Sequence, residues 1–346
     1  MSDFLDVSER LLSTGALGGF ASHFQRVFTT IASLQLVHSK PYLDLNNIEK
    51  VFSCLEMAET LGLLPNCSPD EIRERVSDLK KVISITLEKT VMMRKSQDGL
   101  EAPGHYGPFA ELLRDLLSCN TESHRVSVLT FNYDLGIDAA LALNNLSFDY
   151  GLQEEPKPRS LPLLKLHGSL NWAQCEKCGV VVATSLKNVV DHLHQSMLTP
   201  IGKVPLEVDS LLQRGRKCPS CGGAIRREPV LVPPTWAKGE YHQSVRRVWQ
   251  QAAARLHEAD NIFVIGYSMP PTDEFFRYLY ALGTAGGPLL KRFWVFDPDK
   301  SGEVRVRYDA LLGLGARSRF SFHPGTFREA ITIVRQMFLQ PPEMAF

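Results

Sequence analysis

Apolar residues recur at helical spacing through the first third of the chain, in Phe4–Leu12, Phe20–Leu36, Ile48–Leu61, Ile72–Met93 and Phe109–Leu117. A helix that turns one face to a core has this pattern. Turn-formers separate the runs. Pro65 to Asp70 parts the third from the fourth, with Ser68 or Asp70 placed to cap the latter, and the stretch from Asp98-Gly99 to Pro103-Gly104 ends it. From Arg125 the period changes: Val126 to Phe131 is a short β-rich run, followed by polar Asn132 and Asp134 and by a helical pattern over Leu135–Leu143. The same unit of strand, polar loop and helix returns at Leu161–Leu166 before His167-Gly168, at Asn261–Ile265 before Gly266-Tyr267-Ser268, and at Phe293–Phe296 before Asp297-Pro298-Asp299. Further helices are expected over Tyr241–Glu258, Asp273–Leu282, Glu303–Leu312 and Thr326–Phe338.

Short apolar strands alternating with helices predict a doubly wound α/β fold, with a parallel sheet buried on both faces. The four strand candidates are expected as neighbours in one sheet. In such a sheet the polar residues just past the strand ends line the ligand crevice, which singles out Asn132, Asp134, His167, Ser268, Asp297 and Asp299. The alternation is interrupted between Gln174 and Arg227, where a cysteine pair stands at each end and Val180–Ala183 is a strand candidate. Residues 1–120 thus read as a mainly helical module, 121–173 with 228–346 as the α/β domain, and 174–227 as an insert.

Charge and cysteine content narrow the chemistry. The 38 Lys plus Arg balance 38 Asp plus Glu, so no overall basic field draws the chain to nucleic acid or anionic membrane. Arg214, Arg216, Lys217, Arg226 and Arg227 do cluster near the second cysteine pair, as a solvated face or as a contact for a partner or nucleic acid. No apolar run approaches the roughly 20 residues that span a bilayer, and an acidic start is unlike a signal peptide, so a cytoplasmic location is expected. Seven cysteines is an odd number, and four of them form Cys175-x-x-Cys178-Gly and Cys218-x-x-Cys221-Gly. Two intervening residues let both thiolates reach one ion, and the glycine permits the tight turn, so a structural zinc on four sulfurs is predicted. A redox pair is the alternative, as are ligands from Asp191, His192 and His194. The long spacer between the pairs is expected to loop out, at Leu186–Leu198.

Thr130-Phe131-Asn132-Tyr133-Asp134, Lys165 to Trp172, the two cysteine pairs, Pro229 to Trp236, Val264 to Pro270 and Phe296 to Asp299 occur in an order that resembles the sirtuin family. The resemblance is closer to its divergent bacterial sirtuin-like branch and covers residues 105–315. It implies a Rossmann-like NAD fold with an inserted zinc ribbon, acting at the bond between nicotinamide and ribose. By that resemblance Asn132 and Asp134 hold the nicotinamide and its ribose, and His167 orients or deprotonates a ribose hydroxyl. Gly266 and Ser268 approach the phosphates, and Asp297 or Asp299 reads the adenosine ribose. Three departures stand out. Phe131 replaces a glutamine, and Pro233-Pro234 removes NH donors where the deacetylases pair a peptide strand. Thirdly, Ser13-Thr14-Gly15-Ala16-Leu17-Gly18-Gly19, the nearest match to the family's glycine-rich phosphate loop, follows helix-spaced residues rather than a strand. The function expected is hydrolysis of NAD as an antiphage defence effector, with an activating protein partner or a homo-oligomer. Protein deacetylation is the alternative, as is an inert binding subunit.

Overall fold

The helical spacing of the first ninety residues becomes α1 (Phe4–Ser13), α2 (Ala21–Leu36), α3 (Ile48–Leu61) and α4 (Pro69–Thr90) in the computed structural model. The structure describes residues 4–36, 43–97, 99–119, 126–155, 157–186, 190, 201–206, 216–232, 239–271 and 273–339. Phe24, Val27, Val51, Phe52, Leu55, Ile72, Leu79 and Val82 meet in one buried cluster, each on the stripe its spacing foretold. Ser68 caps α4: its hydroxyl accepts from the Glu71 NH while Glu71 accepts from the Ser68 NH, a reciprocal box with Pro69 at the first helical position.

The remaining elements follow in chain order. They are β1 (Met92–Ser96), β2 (Gly99–Glu101), α5 (Tyr106–Ser118), β3 (Val128–Thr130), α6 (Gly136–Leu143), β4 (Phe148–Asp149), β5 (Leu161–Lys165), β6 (Gly168–Cys175), β7 (Val181–Ala183), β8 (Gly202–Pro205), β9 (Ile225–Leu231), α7 (Gly239–Glu258), β10 (Asn261–Ile265), α8 (Glu274–Thr284), β11 (Arg292–Asp297), α9 (Glu303–Leu311), α10 (Leu314–Arg317), β12 (Phe320–Pro324) and α11 (Phe327–Leu339). The fold is mixed α/β with parallel sheets, as expected. Its strands, however, form two parallel ladders of three rather than one sheet, β3-β5-β4 and β10-β11-β12. The ladders meet through Phe131, which packs with the apolar cores of both. The β10-β11-β12 sheet is covered by α8 and α9 on one face, through Phe276, Tyr280, Val304 and Tyr308, and by α5 and α11 on the other, through Leu112, Leu116, Ile331 and Val334.

A second expectation is corrected. The fourth helix stops at Thr90, and Met92 and Met93 begin a hairpin with β2 where only a loop was foreseen. Met93 is fully buried, so its apolar character serves a strand while mimicking one more helical position. Beyond the stretch expected to loop out, the spacer contributes β8, which pairs antiparallel with β1 from Met92↔Pro205 to Lys95↔Gly202. Most of Leu186–Leu198, and Asp191 to His194, lie outside the described residues. So does Arg214, whereas Arg216 donates to the Thr184 hydroxyl.

Candidate active site

Strand register assembles the site. Thr130 lies opposite Lys165 in the parallel β3-β5 ladder, and the Leu166 NH donates to the Thr130 carbonyl, so the residues two beyond each, Asn132 and His167, leave the same sheet edge. Ile265 and Phe296 are likewise paired, which brings Gly266, Ser268 and Asp297 to the corresponding edge of the second sheet. The two edges are joined by a stack of Phe131 on Tyr267, with centroids 4.2 Å apart and planes at 12°. The aromatic at 131 thus closes the gap between the sheets, a packing role that accounts for its place in the chain.

His167 sits between Phe131 (5.1 Å, edge to face) and Tyr133 (5.9 Å) and is 4% exposed. Its backbone is clamped, since the carbonyl accepts from the Val232 NH at 2.7 Å. Its side chain makes no hydrogen bond among the described residues; Nε2 is buried and lies 3.6 Å from Asp273 Oδ2. Asp273 accepts a 2.7 Å hydrogen bond from the Tyr267 hydroxyl. Burial, and then the Asp273 charge, pushes the Tyr267 phenol far up, so it stays a neutral donor. Gly168, next to His167, has φ +86°, and a Cβ there would fall 2.0 Å from the Val230 carbonyl oxygen. Only glycine permits this close approach of β6 to β9.

The other candidates divide. Asn132 is exposed and donates to the Tyr106 hydroxyl at 3.2 Å. Asp134 accepts from the Gly136 NH at the start of α6; burial raises its carboxyl, opposed by Lys165. Gly266 has φ +68°, and the Ser268 carbonyl accepts from Arg307. Asp297 is buried and accepts from the Asp299 NH. Asp299 spends its carboxylate on Ser301 and on the Val304 NH in the first turn of α9, hydrogen bonds that hold it down at about 2. The Ser13–Gly19 segment joins α1 through turns and the 3-10 turn Gly18–Phe20 to α2, so no strand precedes it. Pro233 to Trp236 lie outside the described residues.

Sequence reading missed Asp273 and Tyr267, and also a fully buried Lys165–Asp138 ion pair at 2.9 Å. From that pair hydrogen bonds continue through Tyr150 and Asn171 to the Thr184 carbonyl. The signal for the pair was present: a lysine inside an otherwise apolar strand run demands a buried partner. A cleft of about 340 Å³, lined by His105, Glu111, Asp115, Arg328 and Arg335 among others, lies between α5 and α11 and contains none of the predicted residues.

At the far end of the β6-β9 ladder stands the metal candidate. The register runs from Gly168↔Leu231 beside His167 to Cys175↔Ile225. The four sulfurs of Cys175, Cys178, Cys218 and Cys221 lie within 4.8 Å of one another, with contacts of 3.5 and 3.6 Å. A tetrahedral zinc with Zn–S near about 2.3 Å spaces its sulfurs by about 3.8 Å, so the set fits such an ion. A Cβ on Gly223 would stand 3.3 Å from two of the sulfurs, and the Cys178 NH, the leading cause, holds the Cys175 thiol down at about 6. Four sulfurs leave no open position for an activated water. No helix of the described residues is long and apolar enough to cross a membrane.

No family model and no curated protein matches the sequence. Among solved structures the chain is similar to a mutant Sir2 homologue in complex with ADP-ribose, at 18% identity and TM-score 0.40, covering 80% of each chain. It is also similar to a Sir2 homolog–NAD complex, at 18% identity and TM-score 0.38, covering 78% of this chain and 76% of that one. A third is Sir2 with a p53 peptide and NAD+, at 13% and 0.38, covering 89% of each. Similarity at these levels carries no argument about this chain's chemistry.

Proposed function

We propose that the chain is an NAD-cleaving enzyme of sirtuin-like type, hydrolysing the nicotinamide–ribose bond at His167. The observation that carries this is the buried imidazole of His167, which leaves the same parallel-sheet edge as Asn132 and makes no side-chain hydrogen bond among the described residues. NAD supplies a neutral leaving group on a ribose carbon that becomes electron-poor as the bond breaks. His167 accepts the proton released by the water that replaces nicotinamide. Asn132 offers an exposed amide for the nicotinamide end, and Phe131 and Tyr133 keep bulk water from the imidazole.

The pyrophosphate end is less complete, because Ser13–Gly19 lies between helices and not after a strand. That observation favours a second reading, a sirtuin-like subunit that binds a partner without turnover. Depletion of NAD as an antiphage effector step, and activation by a partner or by self-association, are supported by motif resemblance alone. The test is chromatography of NAD incubated with the purified protein, beside an acetyl-peptide assay. Nicotinamide and ADP-ribose are expected, and His167→Ala should abolish their release while its melting temperature is kept. Acetyl-peptide turnover exceeding NAD hydrolysis would replace the hydrolase by a deacetylase. No thermal stabilisation by millimolar NAD would favour the inert subunit, since a ligand of the native state must stabilise it.

A further inference from the structure

Asp273 occupies the N-cap position of α8, yet its side chain makes no capping hydrogen bond. It turns instead to the Tyr267 hydroxyl, at 2.7 Å, and toward His167 Nε2, at 3.6 Å, and the residue is 1% exposed. An aspartate that forgoes the cap available to it has been recruited by something else. The loop that delivers it is itself unusual. Met269 is 1% exposed and has φ +48°, a conformation that costs a non-glycine residue about 1–3 kcal/mol and persists only where the surroundings enforce it. The enforcing contacts are visible: Tyr308 donates to the Tyr267 carbonyl, Arg307 donates to the Ser268 carbonyl, and the Asp273 NH donates to the Pro270 carbonyl. A strained and heavily anchored loop thus carries Tyr267 and Asp273 together to one imidazole.

We infer that Asp273 is a positioning residue for His167, its carboxylate accepting a hydrogen bond from Nε2–H and leaving Nδ1 as the nitrogen that accepts a proton during the reaction. The 3.6 Å separation is just beyond a hydrogen bond, and a small imidazole rotation closes it; such contacts often tighten only when the site is filled. Phe131 and Tyr133 restrict that rotation from both sides. Tyr267 holds the other partner still. The role in turnover rests on the NAD-cleaving reading; the tautomer does not. In turnover, the water oxygen bonds to the ribose carbon as nicotinamide departs with the electron pair of the broken bond. The water's proton passes to Nδ1, and the resulting imidazolium, facing the Asp273 carboxylate, later returns it to solvent.

The experiment is long-range proton–nitrogen NMR of the full chain labelled with ¹⁵N-histidine, with His167 assigned by loss of its signals in His167→Gln. The neutral wild-type imidazole is expected as the Nε2–H tautomer. Asp273→Asn should give a mixture of tautomers at unchanged zinc content. In the NAD assay the same variant should lose about 10²-fold in kcat, the scale of a displaced general base, with KM unchanged. An Nδ1–H tautomer in the wild type would overturn the inference without any variant, and so would an unchanged tautomer in Asp273→Asn. An Nε2–H tautomer that depends on Asp273, in a protein that leaves NAD intact, would uphold the positioning and sink the NAD-cleaving reading.

Discussion

At residue 168 the backbone conformation and the space available agree, since φ is +86° and the Val230 carbonyl oxygen occupies the place of a side chain. Gly168→Ala should therefore cost about 3 kcal/mol or more, combining backbone strain with a clash that only strand separation relieves. Thermal unfolding measures this, and a melting temperature within error of wild type would show that β6 and β9 part freely. A second residue-scale expectation concerns Asp78, whose side chain is 1% exposed and accepts from Arg26 and His23. Burial alone would raise its carboxyl, but those hydrogen bonds outweigh it and the net shift is downward. With the folded value below the unfolded one of about 4, the stabilisation is full above that pH and is lost as pH falls through the folded value. Asp78→Asn should remove about 1.5–3 kcal/mol at neutral pH and flatten the acid limb of a denaturation series; an unchanged acid limb would mean that Asp78 is not its source. His167 and Asn132 were legible because strand ends announce themselves by a switch from apolar to polar residues. Asp273 was not, because an aspartate opening a helix is spelled the same way whether it caps the helix or reaches across to another loop.

Among the elements, the amphipathic helices could be read directly: α1 and α3 begin where their apolar stripes begin, and Ser68-Pro69-Asp70-Glu71 spells a capping box. The β1-β2 hairpin could not, because Met92 and Met93 prolong the apolar run of α4 and nothing local distinguishes a buried strand from one more helical turn. The break between the two parallel ladders was also invisible, since strand composition reports burial on both faces but not which strands exchange hydrogen bonds. The cysteine pairs are the contrary case, with spacing that specifies the four-sulfur cluster before any fold is known. We expect about one zinc per chain by elemental analysis, and we expect Cys178→Ser to hold it loosely and lower the melting temperature. Protein prepared without chelator and free of zinc would refute the metal assignment.

For the molecule as a whole, the consequential feature is that the segment between the cysteine pairs is tied at three places. Its ends are fixed at the sulfur cluster, and β8 between them pairs with β1, immediately after α4. The Leu206 NH also donates to the Val91 carbonyl, and Ser77 of α4 donates to Glu228 of β9. α4 and β1 are therefore tied directly to β8 and β9, although these are far apart in sequence. β8 has four residues and a single paired neighbour, and a short edge strand has little stability of its own. Beyond its ladder with β1, closure of the segment by a zinc on the four sulfurs would limit the conformations open to it once detached, and so help to keep it in place. Removing zinc by a chelator should then speed amide hydrogen exchange in Met92–Ser96 as well as in residues 202–206, while the amides of β10 and β11 keep their protection. Hydrogen exchange with mass spectrometry resolves these peptides. Faster exchange confined to the cysteine turns would mean that the β1-β8 pairing holds without the metal, and the coupling between the two regions would have to be abandoned.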